Sequence, residues 1–382
     1  MTIAIYTGLS ISFKEAKTIL DATYYPPVKR GDIDELLSKN DNIEIIGIID
    51  GVFHQSPAVA HKEILRALKR NITVIGGGVL GSQIALQAAY CNFDVTIYLR
   101  SLESMKKTQN KILAFKEEYI KAIKLMGTAE GKTMSAWCRG LATYDNFDEK
   151  ECLAKVESAL NNIKYELDLK KSVANADLVI ESLTENFDIK KNMFLSLSKI
   201  LPASTIIVTN SSTLLPSKLA KYTGRPDKFL ALHFANSIWK NNTAEVMKHD
   251  KTSEESFNKV LEFAKNINMI ALPLQKEKSG YLLNSMLIPF LFSSLDLYVN
   301  GVSTPEYIDK AWVLGTGAPE GPFQILDVIG LNTAYEIVKM YLKIPSFLAP
   351  YNFKKMAELL EKYVKEGKLG KSTKEGFYKY EK

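Results

Sequence analysis

The stretch from Asn71 to Ala89, NITVIGGGVLGSQIALQAA, decides the fold. Residues 72–75 are an apolar run that reads as a strand, and residues 79–89 read as a helix. Between them Gly76, Gly77, Gly78, Val79, Leu80 and Gly81 fit G-x-G-x-x-G. The pattern carries meaning because a strand precedes it and a helix follows it. Gly76 permits the tight turn. Gly78 lets the backbone approach a pyrophosphate, whose charge sits at the helix N-terminus. Gly81 lets the helix pack closely on the strand. The alternative reading is a Gly-rich structural turn.

Outward from that point the chain alternates. A strand at 95–99 and a helix at 102–125 follow, then a polar, punctuated stretch at 127–148 that reads as a loop insertion. Further strands fall at 163–167, 178–181, 206–208, 229–232, 245–247 and 269–272, with helices between most of them. This alternation predicts an α/β fold with a doubly wound, Rossmann-type parallel sheet. From about residue 276 the strands stop. Residues 281–298, 305–314, 322–329, 333–342 and 353–366 all have helical character. Before the Gly loop, residues 3–6 and 43–49 read as strands, the second as a buried parallel one, and 12–20 and 59–69 as helices. The expected organisation is a small α/β segment at 1–70, a dinucleotide-binding domain at 71–275 and a mostly helical C-terminal domain at 276–382.

The chain's 382 residues, 46% hydrophobic and 24% charged, suit a globular protein of two or three domains. The net charge of +6 is spread rather than blocked, so no nucleic-acid tail is expected. It is compatible with a phosphate-bearing ligand. Cys91, Cys138 and Cys152 have no paired spacing and the chain holds four histidines, so no metal site is read. Free thiols and the absence of a signal-peptide pattern fit a cytoplasmic location. The apolar stretch at 282–295 is broken by Asn284, Ser285 and Pro289, which argues against a membrane span.

The strand at 95–99 should end in an acid if it binds the ribose 2′-hydroxyl of NAD. It ends instead in Leu99, Arg100 and Ser101. Arg100 can pair with a 2′-phosphate and Ser101 can add a hydrogen bond, so NADP is favoured over NAD. A solvated surface arginine is the alternative. Ser212 and His233 fall at the carboxyl ends of strands, where ligands collect in such sheets, and Glu245 lies twelve residues past the histidine. A histidine beside a carboxylate is held in one tautomer and suits acid/base work. Alone, His233 would read as a satisfied strand-end residue and Ser212 as a cap.

Together GGGVLG, ESLTEN, TNSSTL, LHFAN, the segment Tyr281 to Asn284, LGTGAPEGPF and the terminal EGFYKY resemble the 3-hydroxyacyl-CoA dehydrogenases, from about Asn71 to Tyr380. The resemblance implies a small-molecule substrate, an acyl-CoA, oxidised or reduced at its 3-position with NAD or NADP. It implies His233 as acid/base, Glu245 as its partner, and Ser212 and Asn284 on the reacting oxygen or thioester region. Glu185, Lys190 and Asn236 match positions near the cofactor. A homodimer through the helical domain is also implied. There are departures. Ser237 stands where the family commonly has Pro, Trp239 reads as either a pocket wall or a core residue, and Phe115 and Ala122 do not match the Ser and Lys that often hold CoA. A dehydrogenase of a non-CoA 3-hydroxy acid is therefore the alternative.

Residues 1–70 resemble instead the first half of TfuA-like proteins, associated with peptide thioamidation, through PPVKRGD from Pro26, GIIDGVFHQSPAV from Gly47 and HKEIL from His61. The resemblance leaves two readings: a recruitment module using Asp50, His54, His61 or Glu63, or a remnant that packs on the dehydrogenase.

Overall fold

The computed structural model describes residues 2–7, 43–49, 71–133 and 136–380. Strands β1 (Thr2–Thr7) and β2 (Ile43–Ile49) pair antiparallel. The expectation of a parallel strand at 43–49 thus fails. A continuous apolar run signals burial on both faces and carries no information on direction. The helices expected at 12–20 and 59–69 lie outside the described residues.

The main sheet starts at β3 (Asn71–Ile75), followed by α1 (Val79–Tyr90), β4 (Asp94–Tyr98) and α2 (Leu102–Met126). Next come α3 (Glu149–Asn161), β5 (Ile163–Glu166), α4 (Leu169–Val173), β6 (Leu178–Glu181), α5 (Phe187–Leu197) and β7 (Ile206–Thr209). The sequence continues through α6 (Pro216–Ala220), β8 (Phe229–Phe234), β9 (Thr243–Met247), α7 (Glu254–Asn266) and β10 (Ile270–Leu274). The strand order is β10-β9-β8-β7-β6-β3-β4-β5. Chain order reverses at β3, which has β4 on one side and β6 on the other. The Gly loop leaves β3 at that switch point, where such sheets take their ligands.

One pair departs from the all-parallel expectation. β9 runs antiparallel to β8, and β10 runs parallel to β9. Residues 235–242 contain no helix. A parallel return needs a crossover of about a dozen residues or more, so this short connection can only turn back. The hairpin register sets His233 opposite Glu245.

Both faces of the sheet are covered. α1 is buried from Gly81 to Tyr90 and shares one core with α2, α3 and α7. Phe194 of α5 and Leu219 of α6 close the other face against Ile75, Val179 and Ile207. α2 is a long amphipathic helix, capped by Ser101, that buries Thr108, Ile112, Tyr119, Ile123 and Met126 along one stripe.

The helical C-terminal domain holds α8 (Leu283–Val299), α9 (Pro305–Thr316), α10 (Pro322–Ile329), α11 (Leu331–Tyr341) and α12 (Phe353–Lys365). Its core centres on Phe292, Phe323, Leu331, Met356 and Leu360. Two buried aspartates fasten the terminal EGFYKY run. Asp327 accepts from the backbone of Phe377 and Tyr378 and from the Tyr380 hydroxyl. Asp309 accepts from the Tyr378 hydroxyl and from two N–H groups at the start of α10.

Candidate active site

β8 is buried along its whole length, and its C-terminal half projects past β7, which pairs only as far as Ala231. His233 sits on that projection. Its Nδ1 lies 3.0 Å from Glu245 Oε2, across the β8–β9 hairpin. The other Glu245 oxygen accepts N–H bonds from Leu282 at 2.8 Å and Leu283 at 3.0 Å. Burial pushes the Glu245 carboxyl up, but His233 and the two N–H donors outweigh it and hold it below the usual carboxylate range. An ionised Glu245 accepts only, so Nδ1 carries the proton. The lone pair of the neutral ring then falls on Nε2, which lies 3.2 Å from Ser212 Oγ. That nitrogen is the basic end of the pair.

Tyr281 fixes the plane of the imidazole. Its ring stacks on His233 with centroids 4.4 Å apart and 12° between planes. Its hydroxyl donates to the Ser211 carbonyl at 2.6 Å. Tyr281 has φ +53°, a costly backbone for a bulky residue, following Gly280 at φ +81°. The turn into α8 thus delivers both the stacked ring and the two N–H donors on Glu245.

The run from Thr209 to Leu214 is shaped by two carboxylates. Glu185 Oε1 accepts from Ser211 Oγ at 2.5 Å, from Thr213 N at 2.8 Å, from Thr213 Oγ1 at 2.7 Å and from Leu214 N at 3.1 Å. Burial raises the Glu185 carboxyl, and these bonds outweigh it and lower it overall. Beneath it, the fully buried Glu181 accepts from Lys190 Nζ and Thr209 Oγ1, both at 2.6 Å. Lys190 is only 1% exposed and stands 3.8 Å from Glu185 Oε2, behind the loop rather than on its open side. Asn210 Oδ1 accepts from the Phe234 backbone, tying the end of β7 to the residue after His233.

The Gly loop fits a dinucleotide. Gly76 has φ +106°, and a Cβ there would lie 2.7 Å from the Ser182 carbonyl oxygen. A Cβ on Gly81 would lie 2.1 Å from the Gly76 oxygen. Gly78 caps α1 without a side chain, and the first turn of α1 holds no acid, so its free N–H groups are open to an anion. Thr108 and Lys111 of α2 donate to the Gly77 carbonyl at 3.2 and 3.0 Å. Arg100 is exposed at the end of β4 and makes no ion pair among the described residues. Ser101 serves as the α2 cap, accepting from Ser104 N at 3.2 Å.

The structure therefore brings Ser212, His233 and Glu245 into one bonded chain. Asn284 is half-buried on the first turn of α8, and Asn236 is exposed on the β8–β9 connection; neither side chain joins that chain. Ser237 has φ +56°, which the family's proline could not adopt. Gln83 of α1 holds this turn by accepting from Ser237 N at 2.9 Å. Trp239 is 8% exposed and packs on Phe115 and Tyr119 of α2, a core position. Sequence reasoning missed Tyr281, Glu181 and Gln83 as site residues. Tyr281 and Glu181 lie inside the quoted motifs, which is the signal that was available. Among the described residues, no cluster of His, Cys, Asp or Glu is placed to hold a metal ion. Likewise none of their helices is long and apolar enough to cross a membrane.

Residues 71–277 match the 3-hydroxyacyl-CoA dehydrogenase NAD binding domain family, and residues 280–380 match that enzyme's C-terminal domain family. The mitochondrial hydroxyacyl-coenzyme A dehydrogenase of Homo sapiens is 32% identical over 325 residues, 85% of this chain and 96% of that protein. The 3-hydroxybutyryl-CoA dehydrogenase of Clostridioides difficile is 33% identical over 312 residues, 81% of this chain and 99% of that protein. A solved diketoreductase structure, described for dual catalysis of dicarbonyl compounds, is 43% identical with a TM-score of 0.69. It covers 82% of this chain and 99% of its own.

Proposed function

Since this chain belongs to the 3-hydroxyacyl-CoA dehydrogenase family, we propose that it interconverts a 3-hydroxyacyl-CoA and a 3-oxoacyl-CoA, with His233 as the acid/base. The observation that carries this reading is the chain from Ser212 Oγ through His233 to Glu245, at 3.2 and 3.0 Å.

In the oxidising direction His233 Nε2 takes the proton of the 3-hydroxyl as the carbon–hydrogen bond gives up a hydride. The charge that forms on the imidazole is met by the Glu245 carboxylate already bonded to Nδ1. Ser212 Oγ and Asn284 hydrogen-bond the reacting oxygen. In the reducing direction His233 returns its proton to the developing alkoxide. A bound nicotinamide cofactor supplies the hydride acceptor, or the donor in reverse.

Gly76, Gly78 and Gly81 hold the pyrophosphate at the N-terminus of α1. Glu185 and Asn236 face the cofactor's nicotinamide end, and Lys190 positions Glu185 from behind. The cofactor is NAD(H) or NADP(H). Arg100, exposed where an acid would otherwise meet the ribose, favours NADP(H). Initial rates with acetoacetyl-CoA and either NADPH or NADH test this reading. It expects thioester-dependent oxidation of reduced cofactor, faster with NADPH at equal sub-saturating concentrations. No oxidation of either cofactor would refute it.

A second reading, a 3-oxo substrate without CoA, draws on two observations. The diketoreductase structure is 43% identical, and Phe115 packs on Trp239 where a CoA-holding serine is absent. The same assay with an acetoacetate ester separates the two.

The assembly proposed is a homodimer through the helical domain. Leu314 and Phe347, each 83% exposed, and Met340 at 64% leave large apolar side chains on that domain's surface. For residues 1–70 the reading proposed is a TfuA-like remnant that packs against, or extends, the dehydrogenase. Deleting residues 2–69 should then impair folding or turnover, and unchanged folding and activity would mean that the segment serves something else, or nothing.

A further inference from the structure

A cavity of about 570 Å³ lies apart from the acid/base residues, between described residues of the 132–133 and 136–144 stretches and the start of β10. These stretches belong to the loop insertion that the redox chemistry leaves without a role. Lys132, Arg139 and Lys265 line the cavity, and none of the three forms an ion pair among the described residues. No carboxylate lines it among those residues. Three exposed cations around one concavity, with no carboxylate among its described lining residues, make a positive potential there. The mouth also carries an aromatic ring. Tyr144 is 59% exposed, while its neighbour Trp137 is 7% exposed and backs it with ring centroids 5.0 Å apart. Ile270, 46% exposed at the first position of β10, adds an apolar contact.

Residues 137–142 of the wall are held in place before any ligand arrives. The Gly140 carbonyl accepts from Gln87 at 2.8 Å and from Asn268 at 3.1 Å. The Gly140 N–H donates to the Trp239 carbonyl at 3.0 Å, and Tyr90 Oη donates to the Leu141 carbonyl at 3.0 Å. Trp137 Nε1 donates to Ala142 O, closing the loop on itself. These bonds fix the backbone around Gly140, Leu141 and Ala142 beside Arg139.

We propose that this cavity is a second binding site, for a phosphorylated ligand of mononucleotide size whose aromatic ring stacks on Tyr144 while its phosphates meet Lys132, Arg139 and Lys265. The volume lies within the range of small-ligand pockets, about 300–1,000 Å³. Phosphate explains the clustered cations, and a flat base explains an exposed tyrosine backed by a buried tryptophan. The site is separate from the Gly loop, since none of its walls comes from residues 76–81.

The test is calorimetric titration of the full-length protein with ADP, in saturating reduced cofactor so that the dinucleotide site is filled. The expected result is one further equivalent of ADP bound. The K132E/R139E/K265E triple variant, altered only at exposed side chains, should bind ADP at least tenfold more weakly with unchanged Tm and basal turnover. Tyr144→Ala should weaken ADP about tenfold and leave inorganic pyrophosphate nearly unaffected. No ADP binding once the cofactor site is filled would overturn the proposal. So would equal binding by the triple variant.

Discussion

The His233 region and the rim at Arg100 sit at strand ends of the same sheet, yet they are built in opposite ways. Around His233 each polar atom of the pair is already engaged. Nδ1 meets Glu245, Nε2 meets Ser212, both Glu245 oxygens are used, and Tyr281 stacks on the ring. At the end of β4, Arg100 is exposed and unpaired among the described residues, and Ser101 is occupied with capping α2. Under the proposed function the contrast separates two tasks. Groups that move a proton are fixed in advance, so little reorganisation is left for the reaction itself. Groups that choose a cofactor wait in water and contribute only when the matching charge arrives. Substitutions at the first region should therefore change kcat, and those at the second should change KM.

The largest effect expected is at Glu245. Glu245→Gln removes the carboxylate that fixes the tautomer and offsets the imidazolium, so kcat should fall about 10³-fold with little change in KM. The same variant has a pH signature. The Glu245 carboxyl titrates lower in the folded protein than in the unfolded chain. Its stabilising contribution is then fully present above the unfolded value of about 4.3, and it is lost as pH falls through the lower folded value. The Tm gap between wild type and Glu245→Gln should shrink on acidification below about pH 4.3. A gap that stays constant on acidification would contradict the assignment.

Next comes Tyr281, which acts on His233 by stacking. Tyr281→Phe keeps the ring and loses the bond to the Ser211 carbonyl, at a cost of about 1–2 kcal/mol in stability and a small change in kcat. Tyr281→Leu should lower kcat about tenfold, since the ring plane is no longer held. Equal turnover by the Phe and Leu variants would show that the stack does not matter. The smallest effect belongs to the rim. Arg100→Asp should raise the KM for NADPH about tenfold and leave kcat close to wild type, a loss measured by cofactor titration at fixed substrate.

Much of this was legible in the sequence because it is local. The Gly loop is a strand, a turn and a helix in one continuous stretch, so a single window reads all three. The helix at 353–365 follows a 3.6-residue pattern, burying Phe353, Met356, Ala357 and Leu360, and the observed bounds of α10, Pro322–Ile329, coincide with those expected. The pairing of His233 with Glu245 was legible as a spacing but not as a geometry. Its cause is a hairpin, and the turn at Ser237 that closes the hairpin departs from the family's proline. Tyr281 was legible only as a member of the quoted Tyr281–Asn284 segment, because its role depends on a positive φ and on the approach of α8 to β8, neither of which has a local pattern. Glu181 was missed for a related reason. A buried acid inside an apolar strand is explained only when Lys190 from the next helix is seen beside it.

The central claim is that His233 carries the proton. The most direct measurement is single-turnover reduction of acetoacetyl-CoA by wild type and His233→Ala, each preloaded with reduced cofactor. The account predicts that the variant binds cofactor and substrate normally and transfers hydride about 10²–10⁴-fold more slowly. Hydride transfer at the wild-type rate in His233→Ala would contradict it.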